Sequence, residues 1–591
     1  MALEARRGLT GRSPRGVGSV LELLWVLRVT STPLWSPAVI ALMSTVAGLA
    51  EATALVMIIS LVTGTQTAEG ELATALGLSD QSAVSTGLVG VFLVLISLGS
   101  NLITSLLVAR SAAHGVDVVR RAFADSFLLA TFSSRERLTA ARSAELMGLG
   151  AYQAETALLQ GAAVVIAVVS LLAYLGIAVL LEPLAALAAV VLGLAMMTLL
   201  RPVARAAQRR MRVYVDRSAE ALAWFGQMVD LAVEARSFGV EKPALEEFAS
   251  RSARAARAGR RARFLLSLSP ALYQTTALIL VLIGAVAATK SALVAPSALA
   301  VIAVLLIRAL SLVQRLALAL QSLGAALPLL QDVLGVTNSL REDPQTRGSS
   351  VLSSARVISV RDLTFGYDLQ RPVLQGVSFD VSMGELVAFI GPSGGGKSTL
   401  FELLLRLRRP DEGSICLDGV DLSDVADESL RRLLAYVPQD NRLLHDSLHA
   451  NTSFLRDIDD AAIVAALAGA GLHNVSEGSL LRGDLTTATV SGGQRQRIGI
   501  ARATATKPSF ILLDEPTSGL DHDNERIVRR TLESLRAHSA VLLIAHRAST
   551  VAMCDRVIVL QGGKVLDDGP RSQVLARNVY LQEMLLDDRA P

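Results

Sequence analysis

The sequence predicts two domains in tandem: an α-helical domain that crosses a membrane six times, then an α/β domain organised round a phosphate-binding loop. Three observations carry this reading. The 591 residues are 51% hydrophobic with a positive mean hydropathy, too apolar for a wholly soluble chain of this length. The apolar residues concentrate before residue 340 in six stretches, each suited to a bilayer crossing of about 20 residues. Beyond residue 355 they break into short β-rich runs alternating with helical patterns, and one such run leads into "GPSGGGKST" at 391–399.

Residues 1–36 read as a cytosolic tail. "MALEARRGLTGRSPRG" is basic and is not followed directly by a short apolar core with a small-residue cleavage site. The stretch 17–29 carries Glu22 and Arg28 and reads as an amphipathic helix lying on the membrane surface. The spans are expected at 37–62, 87–110, 158–181, 184–200, 265–288 and 296–320, inside a transmembrane domain of 37–340.

Arginine sets their orientation. Arg110, Arg120, Arg121, Arg135, Arg137 and Arg142 lie between spans two and three, and thirteen arginines with Lys242 lie in 201–263. The opposite connections hold no Lys or Arg at 65–86 and 181–184, and before Pro296 only Lys290. The positive-inside rule then places both termini in the cytosol, in a multi-pass protein of the cell inner or plasma membrane. Helical periodicity persists through the basic loops, as in "RSAAHGVDVVRRAFADSFLLATF" at 110–132, so the spans should run on as long cytosolic helices. A net charge of +3 implies no nucleic-acid partner, and Cys416 and Cys554 read as reduced thiols without a disulfide framework.

"REDPQTRGSS" opens a linker at 341–355, and the α/β domain occupies 356–591. The loop Gly391, Pro392, Ser393, Gly394, Gly395, Gly396, Lys397, Ser398, Thr399 follows the strand-like "ELVAFI" and precedes the helical "LFELLLRLRR". In that setting the glycines let backbone N–H groups converge on ATP phosphates, Lys397 reaches the β and γ phosphates, and Ser398 can ligate Mg²⁺. "FILLD" is a second buried strand that delivers Asp514 to the Mg²⁺ shell. Glu515, the next residue, is placed to polarise an attacking water.

The chain also carries "YVPQD" at 436–440, "SGGQRQR" at 491–497, "SGLD" at 518–521 and "IAHR" at 544–547, in that order. Together these resemble the nucleotide-binding domain of ATP-binding cassette (ABC) proteins across 356–591. With six spans ahead of it, the whole chain resembles an ABC half-transporter of the exporter type, and spans one and six are similar to the glycolipid-flippase branch. The resemblance implies a P-loop ATPase domain with a helical subdomain and ATP and Mg²⁺ as cofactors. It implies that Tyr367 of "FGYD" stacks on adenine, that Gln439 contacts Mg²⁺, and that His546 holds the γ-phosphate and the attacking water. Ser491, Gly492, Gly493 and Gln494 would face ATP bound by a second subunit, and Asp521 would communicate across that dimer. One chain cannot close its own site, so a partner half-transporter is implied: a homodimer, since every catalytic position is filled, with a heterodimer as the other arrangement.

The resemblance also implies short coupling helices, expected near 133–146 and 222–236. "EPTSGLD" and the short "EGSLLRGDLTTATV" at 477–490 depart from the usual exporter pattern and bear on subunit coupling rather than on ATP chemistry. The expected function is ATP-driven export or flipping of an amphipathic, anionic substrate such as a lipid, glycolipid or peptide-like molecule. A siderophore-type importer on the same fold, and a nucleotide-gated regulator or channel, are the alternatives.

The substrate reading rests on "LLIRALSLVQRLALALQ" at 305–321. Arg308 and Arg315 differ by about 700° along a helix and so share a face with Ser311 and Ser322. An intramembrane cation costs about 2.5–3.5 kcal/mol on insertion scales and needs a partner or a wet cavity. Glu51 lies at a depth similar to that of Arg308 and could pair with it. Arg315, about 10 Å deeper, is beyond the same carboxylate, and both arginines are assigned to a cavity that attracts an anionic headgroup.

Overall fold

The computed structural model describes residues 35–63, 83–181, 183–291, 296–342, 348–368, 371–472, 490–518 and 520–582. The surface helix expected at 17–29 and the segment 477–489 lie outside them. The chain divides into two compact units, one of 1–130 with 134–343 and one of 131–133 with 344–591.

The helices before residue 343 are α1 Trp35–Thr63, α2 Ala83–Leu129, the short α3 Phe132–Glu136, α4 Ala140–Leu181, α5 Pro183–Asp230, the short α6 Ala232–Ser237, α7 Glu241–Ser291 and α8 Pro296–Glu342; all belong to the first unit except the first two residues of α3, which group with the second. Six of these are long and apolar enough to cross a membrane, and each expected span falls inside one of them. α2, α4, α5, α7 and α8 run well past the apolar stretch, because their helical periodicity does not break where their hydrophobicity ends.

Small residues let the helices approach. Ala154 and Ala157 of α4 are fully buried against Leu323, Ala326, Leu327 and Leu330 of α8. At Gly150 a Cβ would come within 2.6 Å of the Val333 side chain. Lipid supplies no hydrophobic drive between helices, so close backbone packing of this kind has to hold them. Leu88, Val91, Phe92, Leu95 and Leu98 of α2 stay exposed, as side chains that meet acyl chains would.

The expected coupling helices need correction. The short helices are α3, at 132–136, and α6, at 232–237. Residues 140–146 already belong to α4, and 222–230 still belong to α5. One amphipathic pattern runs through each junction, so pattern alone misplaced the breaks.

The second unit carries two sheets. Strands β1 Val357–Phe365, β2 Leu374–Ser382, β4 Glu412–Leu417 and β5 Val420–Asp421 form an antiparallel sheet in the order β2-β1-β4-β5. Strands β3 Leu386–Ile390, β6 Leu434–Val437, β7 Phe510–Asp514, β8 Ala540–Ile544, β9 Arg556–Gln561 and β10 Lys564–Pro570 form the other, in the order β10-β9-β3-β8-β7-β6. All its pairs are parallel except β10 with β9.

β3 is "LVAFI" and β7 is "FILLD", the two runs singled out in the sequence. Both faces of β3 are covered: Val387 and Phe389 pack on one side, and Leu386, Ala388 and Ile390 on the other. A strand buried on both faces has no polar alternation, which is why these segments read as unbroken apolar runs.

Candidate functional site

Because β3, β6, β7 and β8 are parallel, their carboxyl ends open on one edge of the sheet, where open α/β sheets bind ligands. β3 delivers the glycine loop and helix α9, Lys397–Leu404; β6 delivers Gln439; β7 delivers Asp514 and Glu515; and β8 delivers His546.

The loop needs its glycines for identifiable reasons. A Cβ on Gly391 would fall 1.9 Å from the Leu560 carbonyl oxygen, and Gly396 (φ 92°) would meet Leu374 at 2.7 Å. Gly394 (φ 78°) opens into free space, a left-handed position that keeps the loop's outer wall bare for a ligand. Lys397 is buried, and its Nζ donates to the carbonyls of Gly391 (2.9 Å) and Pro392 (3.1 Å). Burial lowers its pKa, against the opposing pull of Glu515 and Asp514. Ser398 is exposed and Thr399 is buried.

Glu515 is the hinge of the arrangement. Its backbone takes a left-handed φ of 47°, tied by its N–H to the Ile544 carbonyl (3.2 Å) and by its own carbonyl to the Ser518 N–H (3.1 Å). Its Oε2 accepts from Gln439 Nε2 at 3.1 Å, and its Oε1 stands 3.4 Å from His546 Nε2. Residues from three strand ends therefore meet on one carboxylate. His546 titrates below its ordinary range, first through burial and then through Lys397, with Glu515 opposing.

Asp514 titrates above the usual carboxylate range, chiefly through burial and then through the neighbouring Glu515 charge; Lys397 and a bond from the Tyr436 hydroxyl oppose this. Tyr436, on β6 beside β7, has its phenol pushed up by burial and by Asp514. Half-buried acids beside a buried lysine and an exposed hydroxyl form a donor set that fits a hard divalent cation with phosphates.

Tyr367 lies just beyond β1. Its hydroxyl bonds Thr399 Oγ1 at 3.1 Å, and the Arg408 guanidinium stands 4.7 Å from its ring centre, so one face of the ring is taken. Its exposure is 58%.

"SGGQ" opens helix α10, Gly492–Thr504, with a capping box: Ser491 accepts from the Gln494 N–H, and the Gln494 side chain accepts from the Ser491 N–H. Asp521 caps helix α11, His522–Leu535, by accepting from the Asn524 N–H at 2.8 Å, and a second bond at 3.0 Å holds the Asn524 amide. That amide lies where a Cβ on Gly493 would be, 2.7 Å away, whereas Gly492 faces open space. Asp521 thus positions a side chain over the signature turn of its own chain.

Three supports escaped the sequence reading. Tyr436 donates to Asp514. Asn441 donates to Gln496 of α10 at 2.7 Å, joining the Gln439 segment to the signature helix. Glu525, buried on α11, is bonded by Ser549, Arg529 (3.0 Å) and Arg547 (3.4 Å), the residue after His546. Tyr436 and Arg547 stand inside the quoted motifs, but nothing in the sequence says which carboxylate each one meets.

In the first unit Arg308 Nη2 lies 3.3 Å from Glu51 Oε1, so the ion pair weighed in the sequence is present. Arg315 is exposed and has no ion pair among the described residues. Tyr174, buried on α4, lies within electrostatic range of Glu51, Arg308 and Arg315.

A family model described as ABC transporter matches residues 374–518. This chain carries an ABC transporter domain. The match runs from the start of β2, through the glycine loop and the signature, to the residues just after Glu515, so the ABC domain holds most of the site described above. Heavy metal tolerance factor 1 of Caenorhabditis elegans is 40% identical over 225 residues, 37% of this chain and 28% of that protein. The ATP-dependent lipid A-core flippase of Neisseria gonorrhoeae is 37% identical over 248 residues, 40% of each chain. The ATM1-type heavy metal exporter of Novosphingobium aromaticivorans is 37% identical over 233 residues, 38% of each chain. The chain thus matches well under half the length of these relatives. A solved structure of a bacterial Atm1-family ABC exporter with ATP bound superposes with a TM-score of 0.79 at 23% identity, covering 94% of this chain and 99% of that one. The helical unit and the ABC domain together have the fold of an ABC exporter.

Proposed function

We propose that the chain is a half-transporter that hydrolyses ATP to export or flip an amphipathic anion by alternating access. The observation that carries the hydrolytic part is Glu515, one carboxylate held between Gln439 and His546 beside the phosphate loop. The loop N–H groups and Lys397 bind the ATP phosphates, and Tyr367 stacks on adenine. Glu515 takes the proton of the attacking water, which His546 orients. Ser398, Gln439 and Asp514 are the residues that would hold Mg²⁺, which supplies charge neutralisation at the phosphates. Asp514 meets the Tyr436 hydroxyl while Glu515 meets Gln439 and His546, so the two acids serve different tasks.

Ser491, Gly492, Gly493 and Gln494 would complete the site of a second copy, with Asp521 at the junction, and a homodimer follows. The arginines of 110–142 and 201–263 support an orientation with both termini and the ABC domain in the cytosol. The complete set of hydrolytic side chains speaks against a nucleotide-gated regulator, and the exporter and flippase relatives speak against import.

The anionic substrate is inferred from Arg315. The Glu51 carboxylate neutralises Arg308, which leaves Arg315 as a free cation on that helix face among the described residues. An unpaired intramembrane arginine faces a cavity or a ligand. Reconstitution into vesicles with fluorescent anionic, neutral and cationic lipids tests the whole reading. ATP-dependent movement of the anionic lipid, lost in Arg308→Ala with Arg315→Ala, is expected. ATP binding without turnover would sink the transport reading, and full transport by the double variant would sink the substrate assignment alone.

A further inference from the structure

Between α5 and α7 runs a groove of about 570 Å³ that has no part in the chemistry above. Its geometry begins with a glycine. A Cβ on Gly259 would come within 2.9 Å of the Tyr214 ring, so the absence of a side chain lets that ring lie against α7. The ring in turn carries Arg263, whose guanidinium sits 5.6 Å from the ring centre and donates to the Tyr214 hydroxyl at 3.3 Å. The contact orients Arg263 and leaves its charge unanswered, since a phenol and an aromatic face neutralise nothing.

Arg260 lines the same space, with Ser218 from α5 and Ser252 from α7; none of the three has a bonding partner among the described residues. No carboxylate is among the lining residues. The groove also sits at a change of character in α7. The helix is rich in arginine through Arg263 and turns apolar at Phe264, which lines the groove and is exposed.

We propose that this groove binds a phosphate group, carried either by an anionic lipid headgroup or by a soluble phosphate. Two guanidinium forks offer the paired donors that phosphate oxygens accept, and free hydroxyls supply the rest. Basic pockets between spanning helices take lipid headgroups for this reason, and the exposed Phe264 ring offers apolar surface to the first carbons of an acyl chain. The inference rests on the membrane-spanning reading of α7 and is independent of what is transported.

The test uses the full-length protein in lipid discs of phosphatidylcholine, with phosphatidylglycerol as a minor component, read by native mass spectrometry. A parallel arm replaces phosphatidylglycerol with inorganic phosphate. Wild type is expected to retain phosphatidylglycerol over phosphatidylcholine, and Arg260→Gln with Arg263→Gln to lose that preference roughly tenfold, as for loss of a charged hydrogen bond. ATP affinity, read in the same preparation, should not change, which shows that the variant is folded. Gly259→Ala keeps every charge but displaces Tyr214, and with it Arg263; a loss of about threefold is expected there, so the idea remains testable if the double variant fails to fold. Arginine-dependent binding in the inorganic phosphate arm, without lipid preference, assigns the site to soluble phosphate. Equal lipid retention by wild type and variants, with no arginine-dependent phosphate binding, overturns the proposal.

Discussion

The ABC domain and the helical unit solve the placing of charge in opposite ways. In the ABC domain charged and polar groups meet at fixed distances: Glu515 with Gln439 and His546, Glu525 with Arg529 and Arg547, Asp521 with Asn524. Inside the spans of the helical unit there is the pair Glu51–Arg308, and nearby Arg315 stands alone among the described residues. Hydrolysis needs reacting groups placed to within fractions of an ångström, and a parallel sheet provides that by ending four strands on one edge. The proposed substrate path calls for a surface that changes as helices move, which fits the sparse charges of the spans. The difference teaches where substitutions should bite.

The comparison breaks most visibly at Glu515. Glu515→Gln is expected to lower ATP hydrolysis by about 10²-fold or more while ATP binding survives, since the proposed general base is removed and the binding loop is untouched. Radiometric phosphate release alongside equilibrium nucleotide binding reads both, and turnover above roughly a tenth of wild type would remove Glu515 from that role.

Glu525→Ala should follow in size. It leaves Arg547 and Arg529 without their buried acceptor and is expected to cost about 3 kcal/mol, seen as a lower denaturation midpoint of the ABC domain. A change within error would mean that the network is decorative.

Gly493→Ala against Gly492→Ala sharpens the point inside one turn. The first forces a methyl to 2.7 Å from Asn524 and should cost about 1–3 kcal/mol, while the second meets nothing in its own chain and should be near neutral for stability. If Gly492→Ala nonetheless abolishes hydrolysis, its partner lies on another copy, which favours the dimeric site. Equal thermal shifts for the two would contradict the packing described here.

The smallest effect is expected in the helical unit. Glu51→Ala should lower stability in detergent by about 0.6 kcal/mol, the ordinary worth of a polar contact between spanning helices. A loss several times larger would show that the Glu51–Arg308 pair is as firmly built as those of the ABC domain.

Legibility followed the same division. The glycine loop, the strand ends and the six spans could be read because each depends on a local run: strand β7 matches the quoted "FILLD" residue for residue, and β3 matches "ELVAFI" but for its first residue, Glu385. The short helices α3 and α6 were misplaced because amphipathic periodicity continues through the chain reversals that define them. Asp521 was expected to act between subunits, and it also has a capping role in its own chain, legible in hindsight from Asp521 standing three residues before Asn524 at a helix start.

By itself the sequence determined what each strand end would carry, since hydrophobic runs fix the strands and the residues that follow them are covalently bound to arrive there. Only the tertiary structure decided which of these groups meet. Gln439 reaches Glu515 across 76 positions because β6 pairs in parallel with β7, and His546 reaches it because β8 lies on the other side of β7. Glu51 meets Arg308 because α1 and α8 both pack against α4, an arrangement of helices that no local pattern encodes.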